Sequence, residues 1–541
     1  MNKKGRERSA LRRGVFIFLA VIMALVVMRP PGLLYAAGSG KGAAFSIRSF
    51  SLTGNTLFDD LTLLRVLLPF IGPDKTAADV EAARDALEKF YHAKGYPAVL
   101  VNIPEQTVEN GIIRLGIVES RLRKVRVSGN KYHTMAMIMK QLPALRPGEI
   151  LYLPKVQRQL AVLNSDPDMK VTPVLMPGRD PGTIDMELKV KDRLPLHGSL
   201  ELNNRYSHDT THLRLNGSIR YDNLWQKRHS LSAQFQISPE KLNEVLVLSA
   251  SYVMPAPWKR DNKIILYAIS SDSETAFGEG FQVKGKGRIY GLRYLVSLPP
   301  YHDYSHNISM GIDYKDFDES LGFASTPGKP LKTPITYMPI SFSYSSQLAR
   351  ANGSIGFSAS LHMAFRNMVT DQRQFEVKRY RAKGDYMYLT LGVEQSRKLP
   401  YDLGLYVKVD GQIANEPLIA NEQYSAGGME SVRGYLENED SGDNAVHGTV
   451  ELSARRLESR LDFWPRSFSL TPYGFADFAR LWTKDPLPKE TAARNLAAVG
   501  LGARGQAGSF VYRCDLGVPL VDSDRIKQGD YRFYFKMAYE F

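Results

Sequence analysis

From Pro195 onward the sequence alternates between apolar and polar residues, and the alternation continues to residue 541. A period of two places successive side chains on opposite faces of a strand, so this region is predicted to be β-structure with one apolar face. We count about 16 such segments, with roughly 22 residues for each strand and its turn. The clearest segment, 353–365, places one apolar set on one face: Ile355, Phe357, Ala359, Leu361, Met363 and Phe365.

The connections between these segments alternate in length. Short turns on one side and long loops on the other are typical of an outer-membrane barrel. Closure is required in lipid because an open sheet edge leaves backbone groups unsatisfied. The alternative is a soluble β-sandwich, which needs a second sheet or helices to cover so many one-sided strands. The predicted barrel spans 195–541, and its long loops are 315–333, 367–382, 413–443, 480–493 and 517–530.

Residues 44–120 and 121–193 are predicted to be two copies of one small α/β domain. Each opens with an alternating strand that ends in Gly-Asn, at 54–55 and again at 129–130. Each continues with two helical patterns and closes with two strands. The order β-α-α-β-β allows a three-stranded sheet to pack against a helix pair. The four predicted helices are 59–70, 76–93, 133–142 and 154–164.

The N-terminus has the pattern of a secretory signal. A basic segment precedes a short apolar core from Gly14 to Met28, and Ala36 and Ala37 offer small residues for cleavage. We therefore predict a signal peptide over 1–37. A retained signal anchor is the alternative, but the apolar core is short for a membrane span.

The rest of the sequence offers few signals for catalysis or for the binding of a ligand. The formal net charge is +14, but about +6 of it leaves with the signal, and the rest is spread along strands. We therefore expect no nucleic-acid partner. Cys514 has no partner for a disulfide and lies in a strand pattern, and His447 is expected on a wetted lumen wall. With no phosphate loop and no metal-spaced cluster, we expect no catalytic residue, no metal and no cofactor.

The long loop 413–443 contains the most specific motif. Counting strands places this loop between the eleventh and the twelfth, which makes it the sixth of the connections on the side of the long loops. Farther along, Phe475, Asp477 and Ala479 share one face of a strand. A long loop folded into a lumen needs an anchor, and an arginine reaching a wall carboxylate supplies one. The alternative is a solvated loop charge. The motif consists of Val432, Arg433, Gly434 and Tyr435.

These residues resemble those of the ShlB/FhaC/HecB family, the transporters of two-partner secretion, within the superfamily of the BamA and TamA barrels. The loop motif is similar to the VRGY/F of the superfamily's sixth loop, and Phe475 and Asp477 resemble its F-x-D-x-G wall motif. Ala445 and Ala479 replace glycines of the two patterns. The two repeats resemble the family's two POTRA domains. Phe541 resembles the terminal aromatic that the barrel assembly machinery recognises.

The resemblance implies an outer-membrane protein of a Gram-negative bacterium, with its POTRA domains in the periplasm. It implies export, without catalysis, of a large secreted partner of the filamentous haemagglutinin or haemolysin kind. The partner's N-terminal secretion domain would engage the POTRA domains in extended form. Two alternatives stay open: an assembly or insertion factor of the BamA/TamA type, and a passive porin.

Overall fold

The computed structural model describes residues 44–541, apart from 209, 243, 260, 274, 279–280, 285, 319, 322–330, 367, 370, 461–466 and 489. The predicted signal peptide, 1–37, lies outside the described residues. Among the helices that are described, none is both long and apolar enough to cross a membrane.

The first repeat is a three-stranded sheet with two helices, as predicted. Ser49–Thr53 pairs in parallel with Ile112–Glu119, which pairs in antiparallel fashion with Val99–Asn102. Helices Asp60–Leu67 and Ala77–Ala93 bury Leu63, Leu87 and Tyr91 completely against this sheet. The structure adds a short 3-10 turn, Leu68–Phe70, and a two-stranded pairing of Phe45–Ile47 with Gly72–Lys75. That pairing was not predicted because GPDK has no alternating pattern.

The second repeat has the same strand order as the first. Its opening strand lies at one edge of the sheet, its last strand lies in the centre, and its second strand lies at the other edge. The helical patterns at 133–142 and 154–164 fold as two helices, close to the predicted bounds. The strands are Arg121–Ser128, Met169–Pro177 and Thr183–Asp192, and the helices are Met135–Gln141 and Leu153–Leu163.

The Gly-Asn pairs have a steric explanation that is the same in both repeats. Gly54 has a φ of +85°, and a Cβ atom there would lie 2.3 Å from the carbonyl oxygen of Ile117. Gly129 has a φ of +83°, and its Cβ would lie 2.5 Å from the carbonyl oxygen of Val190. Each opening strand therefore ends in a left-handed turn pressed against the last strand, which only glycine accommodates.

A carboxylate at the end of each last strand holds the turn that follows the glycine. Glu119 accepts hydrogen bonds from the N–H groups of Thr56, at 2.8 Å, and Leu57, at 3.0 Å. Asp192 accepts from three consecutive N–H groups, 131–133. Burial alone would raise the pKa of Asp192, but these donors outweigh it and the pKa lies below its usual value. The repeat therefore extends to turn chemistry as well as to hydrophobic pattern.

Sixteen antiparallel strands then close into a barrel, which confirms the predicted fold class. Two strands are interrupted and are each counted once. In chain order the strands are β1 Leu196–Asn203, β2 Arg214–Leu224, β3 His229–Ile237, β4 Leu246–Pro255, β5 Lys263–Ser271, β6 Gly287–Ser297, β7 Tyr304–Phe317, β8 Ile335–Tyr337 with Ile340–Arg350, β9 Gly353–Ala364, β10 Tyr386–Lys398, β11 Gly404–Ala414, β12 Asn444–Ser453 with Leu457–Arg460, β13 Ser467–Trp482, β14 Ala493–Ala507, β15 Phe510–Pro519 and β16 Arg532–Glu540.

The barrel closes where β16 pairs with β1. Beyond the strand, Phe541 and Gly198 exchange both backbone hydrogen bonds, at 3.0 and 3.1 Å. The Phe541 ring covers Gly198 so closely that a Cβ atom there would lie 2.2 Å from the ring. The ammonium of Lys536 also lies 2.8 Å from the Glu201 carboxylate across this seam. Gly198 therefore provides the space in which the terminal aromatic ring packs.

The two faces of the last barrel strand point outward and inward as the alternating pattern predicts. On β16, Phe533 and Met537 are about half exposed on the outer, lipid-facing surface, whereas Tyr534 is fully buried inside. The sixth connection on the side of the long loops, hereafter loop six, spans 415–443 and joins β11 to β12. The fifth loop contains a helix, Gln372–Lys378, that periodicity did not predict because seven residues are too few to show a helical pattern.

Candidate functional site

Loop six enters the barrel lumen and is fixed there by a buried arginine. The guanidinium of Arg433 donates from Nε and Nη2 to the two oxygens of Asp477, each at 2.7 Å, and its backbone N–H donates to the same carboxylate at 3.1 Å. Arg433 is 1% exposed and Asp477 3%. Strand β13 presents Asp477 inward because period two places it on the face of Phe475. The two motifs therefore meet in a bidentate ion pair.

The same guanidinium has partners that the sequence did not suggest. Its Nη1 lies 2.6 Å from Glu451 on β12 and 3.8 Å from Asp515 on β15. Its central carbon lies 3.5 Å from the centre of the Phe475 ring, which stacks beneath the planar group. Alternation places both acids on the inner face, but it cannot tell which inner positions surround the loop tip. One cation thus faces three carboxylates on three strands.

The residues after Arg433 complete the loop tip. Gly434 has a φ of +106°, and its N–H donates to the Tyr534 hydroxyl on β16 at 2.9 Å. The Tyr435 hydroxyl donates to the carbonyl of Val521 at 2.6 Å. Gly517 on β15 leaves room for this turn, since a Cβ there would lie 2.6 Å from the Gly434 nitrogen. Val432 is fully buried beside the motif. Shape and hydrogen bonding therefore fix the tip in addition to charge.

Apart from Arg433, the loop is entirely acidic in its charged residues. Every Asp and Glu between 415 and 443 lies within 4 Å of a lysine or arginine from a barrel strand or another loop. A negative loop thus lies in a positive surround, while its tip has the reverse polarity. The pairs are Glu416–Lys383, Glu422–Lys315, Glu430–Arg513, Glu437–Arg205, Glu439–Arg525, Asp440–Arg494 and Asp443–Arg379.

Asp443 closes the loop at its base. Its carboxylate is fully buried and accepts from Arg379 of loop five, from the Leu418 N–H at 2.8 Å and from the Lys484 N–H at 2.7 Å. These donors belong to loop five, to the start of loop six and to loop seven. Asp443 therefore joins three loops at one point.

His447 does not face a wetted lumen, so that expectation was wrong. Its side chain is fully buried, and its Nδ1 lies 2.9 Å from Asp410 on the neighbouring strand. Tyr424 of loop six donates to the same carboxylate. Loop six covers this part of the wall through Tyr424, and no surface of His447 is exposed. An alternating strand shows that a residue points inward, but it does not show what lies over it.

One group of potential metal ligands is found among the described residues, at Asp168, His197 and Asp222. Arg193 lies 2.7 Å from Asp168, and Arg220 lies 3.0 Å from Asp222. Each carboxylate already has a cationic partner, so we interpret the group as an ion-pair network and not as a metal centre.

Comparison with known proteins shows which families and relatives this chain resembles. The model of the family described as "Haemolysin secretion/activation protein ShlB/FhaC/HecB" matches residues 182–505, and that of the "POTRA domain, ShlB-type" matches 45–120. The outer membrane transporter CdiB of Dickeya dadantii (strain 3937) is 22% identical over 436 residues, which cover 78% of this chain and 74% of that protein.

Two solved structures share the fold. CdiB from Escherichia coli superposes with a TM-score of 0.61 at 18% identity, covering 99% of this chain and 98% of that one. BamA from Haemophilus ducreyi lacking POTRA domains 1–3 gives 0.54 at 16% identity, covering 92% and 100%. The family model matches more than half of the chain and includes the loop and wall motifs. The chain therefore belongs to the ShlB/FhaC/HecB family of haemolysin secretion/activation proteins, the outer-membrane transporters of two-partner secretion.

Proposed function

We propose that this transporter moves one cognate secreted protein, recognised by its N-terminal secretion domain, from the periplasm to the cell surface without catalysing a reaction. The observation that carries the proposal is the Arg433–Asp477 pair, which holds loop six inside a barrel that follows two periplasmic repeats. A passive porin needs neither the repeats nor such a loop. The partner is proposed to be of the filamentous haemagglutinin or haemolysin kind.

Loop six lies in the lumen and leaves a cavity beside it. The cavity beside it measures about 900 Å³ and is lined by loop and wall residues, among them Arg205, Glu430 and Glu437. This volume is typical of a small-molecule pocket. We propose that export requires the loop to move, because a loop held by ion pairs can be released and can return.

The first repeat offers one free sheet edge to an extended partner. Its edge strand Val99–Asn102 is covered, because Glu88 accepts from the Val101 N–H at 3.1 Å and His92 lies 3.1 Å from the Val99 carbonyl. The opposite edge strand, Ser49–Thr53, pairs only with the central strand in the described ladder. We propose that the partner's secretion domain adds a strand to this edge.

Two substitutions of exposed side chains test that assignment. Ser51→Lys places a charge on the free edge, where lysine discourages strand addition. Leu100→Lys places the same charge on the covered edge and serves as the matched control. Secretion of the partner should fall in the first variant and stay unchanged in the second, with equal barrel in the outer membrane. The opposite result would move the binding site to the covered edge.

A broader test asks whether recognition needs the repeat at all. Deleting 44–120 should abolish secretion of the protein encoded by the neighbouring gene, while the barrel still reaches the outer membrane. We propose that the barrel assembly machinery inserts it there, using the aromatic residue Phe541. Full secretion by the shortened chain would contradict the recognition role.

The second candidate, an assembly factor, draws on the likeness to BamA. That likeness is one of fold, at 16% identity. Deletion of this gene separates the two functions. Loss of one secreted protein from the medium supports export, whereas a general loss of barrels from the outer membrane supports assembly.

A further inference from the structure

The first arm of loop six, residues 415–426, lies on a different part of the wall from Arg433. There Glu422 is 4% exposed and meets three donors. Its Oε1 lies 2.6 Å from the ammonium of Lys315 and accepts from the Tyr337 hydroxyl at 2.6 Å. Its Oε2 accepts from the Tyr388 hydroxyl at 2.8 Å. The donors come from β7, β8 and β10, whereas the Arg433 partners come from β12, β13 and β15.

Apolar packing surrounds this ion pair. Leu418 and Ile419 of the arm are each 1% exposed and belong to one buried cluster with the wall and with Phe375 of the loop-five helix. The wall members lie where their strands meet the long loops: Phe317 ends β7, Ile335 begins β8, Ala364 ends β9, Tyr386 begins β10 and Ala414 ends β11. The cluster therefore lies across the end of the barrel from which the long loops extend.

The arm and loop five are also joined to each other. The guanidinium of Arg379, one residue beyond the loop-five helix, donates to the Asp443 carboxylate and to the Leu418 carbonyl. Lys383 of loop five lies 2.8 Å from Glu416. Loops five and six thus form one layer. Glu422 is the buried charge by which this layer is bound to strands β7, β8 and β10.

We propose that Glu422 is a second anchor of loop six, a positioning residue that holds this layer over the long-loop end of the barrel and keeps the pore closed independently of Arg433. The proposal rests on the export function, because it assigns the layer to the path that the exported chain leaves by. Freeing Arg433 would release the loop tip, but the arm would stay in place until the contacts between Glu422 and the wall are broken.

An anchor depends on the negative charge of Glu422, whereas ordinary core packing depends only on the size and shape of its side chain. Glu422→Gln keeps the size and shape of the side chain and keeps one acceptor oxygen, so one tyrosine hydroxyl can still donate to it while the other faces the amide NH2. It removes the negative charge opposite Lys315 and strands a buried ammonium, whose hydrogen bonds to a charged partner are the strong ones. Glu416→Gln is the matched control: the same change, on the same arm, at a pair in which Lys383 is 45% exposed.

The test is the ionic conductance of the purified full chain in planar lipid bilayers, which needs no secreted partner. Glu422→Gln should raise the fraction of time spent open by about tenfold or more, as expected for losing a charged hydrogen bond. Glu416→Gln should behave as the parent chain does. Heat-modifiable migration shows that each barrel is folded. A Glu422→Gln channel as closed as the parent, or a Glu416→Gln channel equally opened, would overturn the proposal.

Two further variants keep the question decidable if Glu422→Gln fails to fold. Lys315→Met removes the cation and should open the channel to a similar extent, and Tyr388→Phe removes one hydroxyl and should open it less. Closed channels in both would contradict the anchor. Secretion is then measured in the same strains. Open channels with no exported partner in any strain, the parent included, would leave the anchor standing and overturn the proposed function instead.

Discussion

The two anchors of loop six bind the wall with opposite polarity. At the tip, a loop cation, Arg433, enters a ring of wall carboxylates on β12, β13 and β15. On the first arm, a loop carboxylate, Glu422, enters a group of wall donors on β7, β8 and β10. No hydrogen-bonding partner is shared between them in the described contacts. The loop is thus held on two sides of the barrel by two separate electrostatic sites.

Because their partners differ, the two sites should respond differently to the loss of one residue. Arg433 faces Asp477, Glu451 and Asp515 together, whereas Arg504 pairs with Glu451 and Arg513 with Asp515. Loss of Arg433 therefore leaves Asp477 buried without a cationic partner among the described contacts. Glu422 keeps two hydroxyl donors if Lys315 is lost. We therefore expect the tip anchor to fail abruptly and the arm anchor to fail in steps.

The largest effect is expected from Arg433→Ala. Removing one partner of a buried ion pair costs about 3–5 kcal/mol, because the opposite charge is left uncompensated. Secretion should be lost while the barrel still migrates as a folded, heat-modifiable species. Arg433→Lys should be intermediate, since an ammonium cannot form the bidentate contact. Normal secretion by Arg433→Ala would show that the tip does not anchor the loop.

A smaller effect is expected from Lys315→Met at the arm. The Glu422 carboxylate keeps the hydroxyls of Tyr337 and Tyr388, so the loss should be about 1.5–3 kcal/mol, the range of one charged hydrogen bond. Urea unfolding of the full chain in lipid vesicles measures it. A loss as large as that of Arg433→Ala would remove the proposed difference between the two sites.

A loss below about 1 kcal/mol is expected from Glu416→Gln, because its partner is solvated and exposed ion pairs contribute little. The same unfolding measurement applies. A loss matching that of Lys315→Met would mean that burial is not what distinguishes the pairs of the arm.

The smallest expected effect is the coupling free energy between the two anchors. Asp477→Asn and Glu422→Gln share no partner, so their effects on the free energy of unfolding should add to within about 0.5 kcal/mol. A double-mutant cycle measures the departure from additivity. Coupling well above that value would show that the loop responds as one rigid body.

The comparison also marks the limit of what the sequence reveals. The tip anchor is visible because four contiguous residues form its motif and period two assigns Asp477 to the inner face. Glu422 has partners that lie 107, 85 and 34 positions away, on three strands. Alternation shows that those residues point inward. It does not give the stagger of the strands, which decides the height at which each side chain meets the loop.

The absence of long-range information from a local pattern also explains the other differences between the sequence predictions and the structure. Sixteen strands, their faces and the helices of both repeats follow from local periodicity and could be predicted. The burial of His447 and the layer formed by loops five and six depend on where a long loop lies. That position is set by contacts between distant segments, which no local pattern contains.

The seam between β16 and β1 has a consequence for the order of events in time. It joins segments far apart in the chain: Asn204, just after β1, bonds the backbone of Phe533, 329 positions later. The barrel cannot close until both segments are in place, and until then the edge of β1 is a template for any other strand. Mispairing with another chain at this edge is therefore the hazard that assembly of the barrel has to prevent.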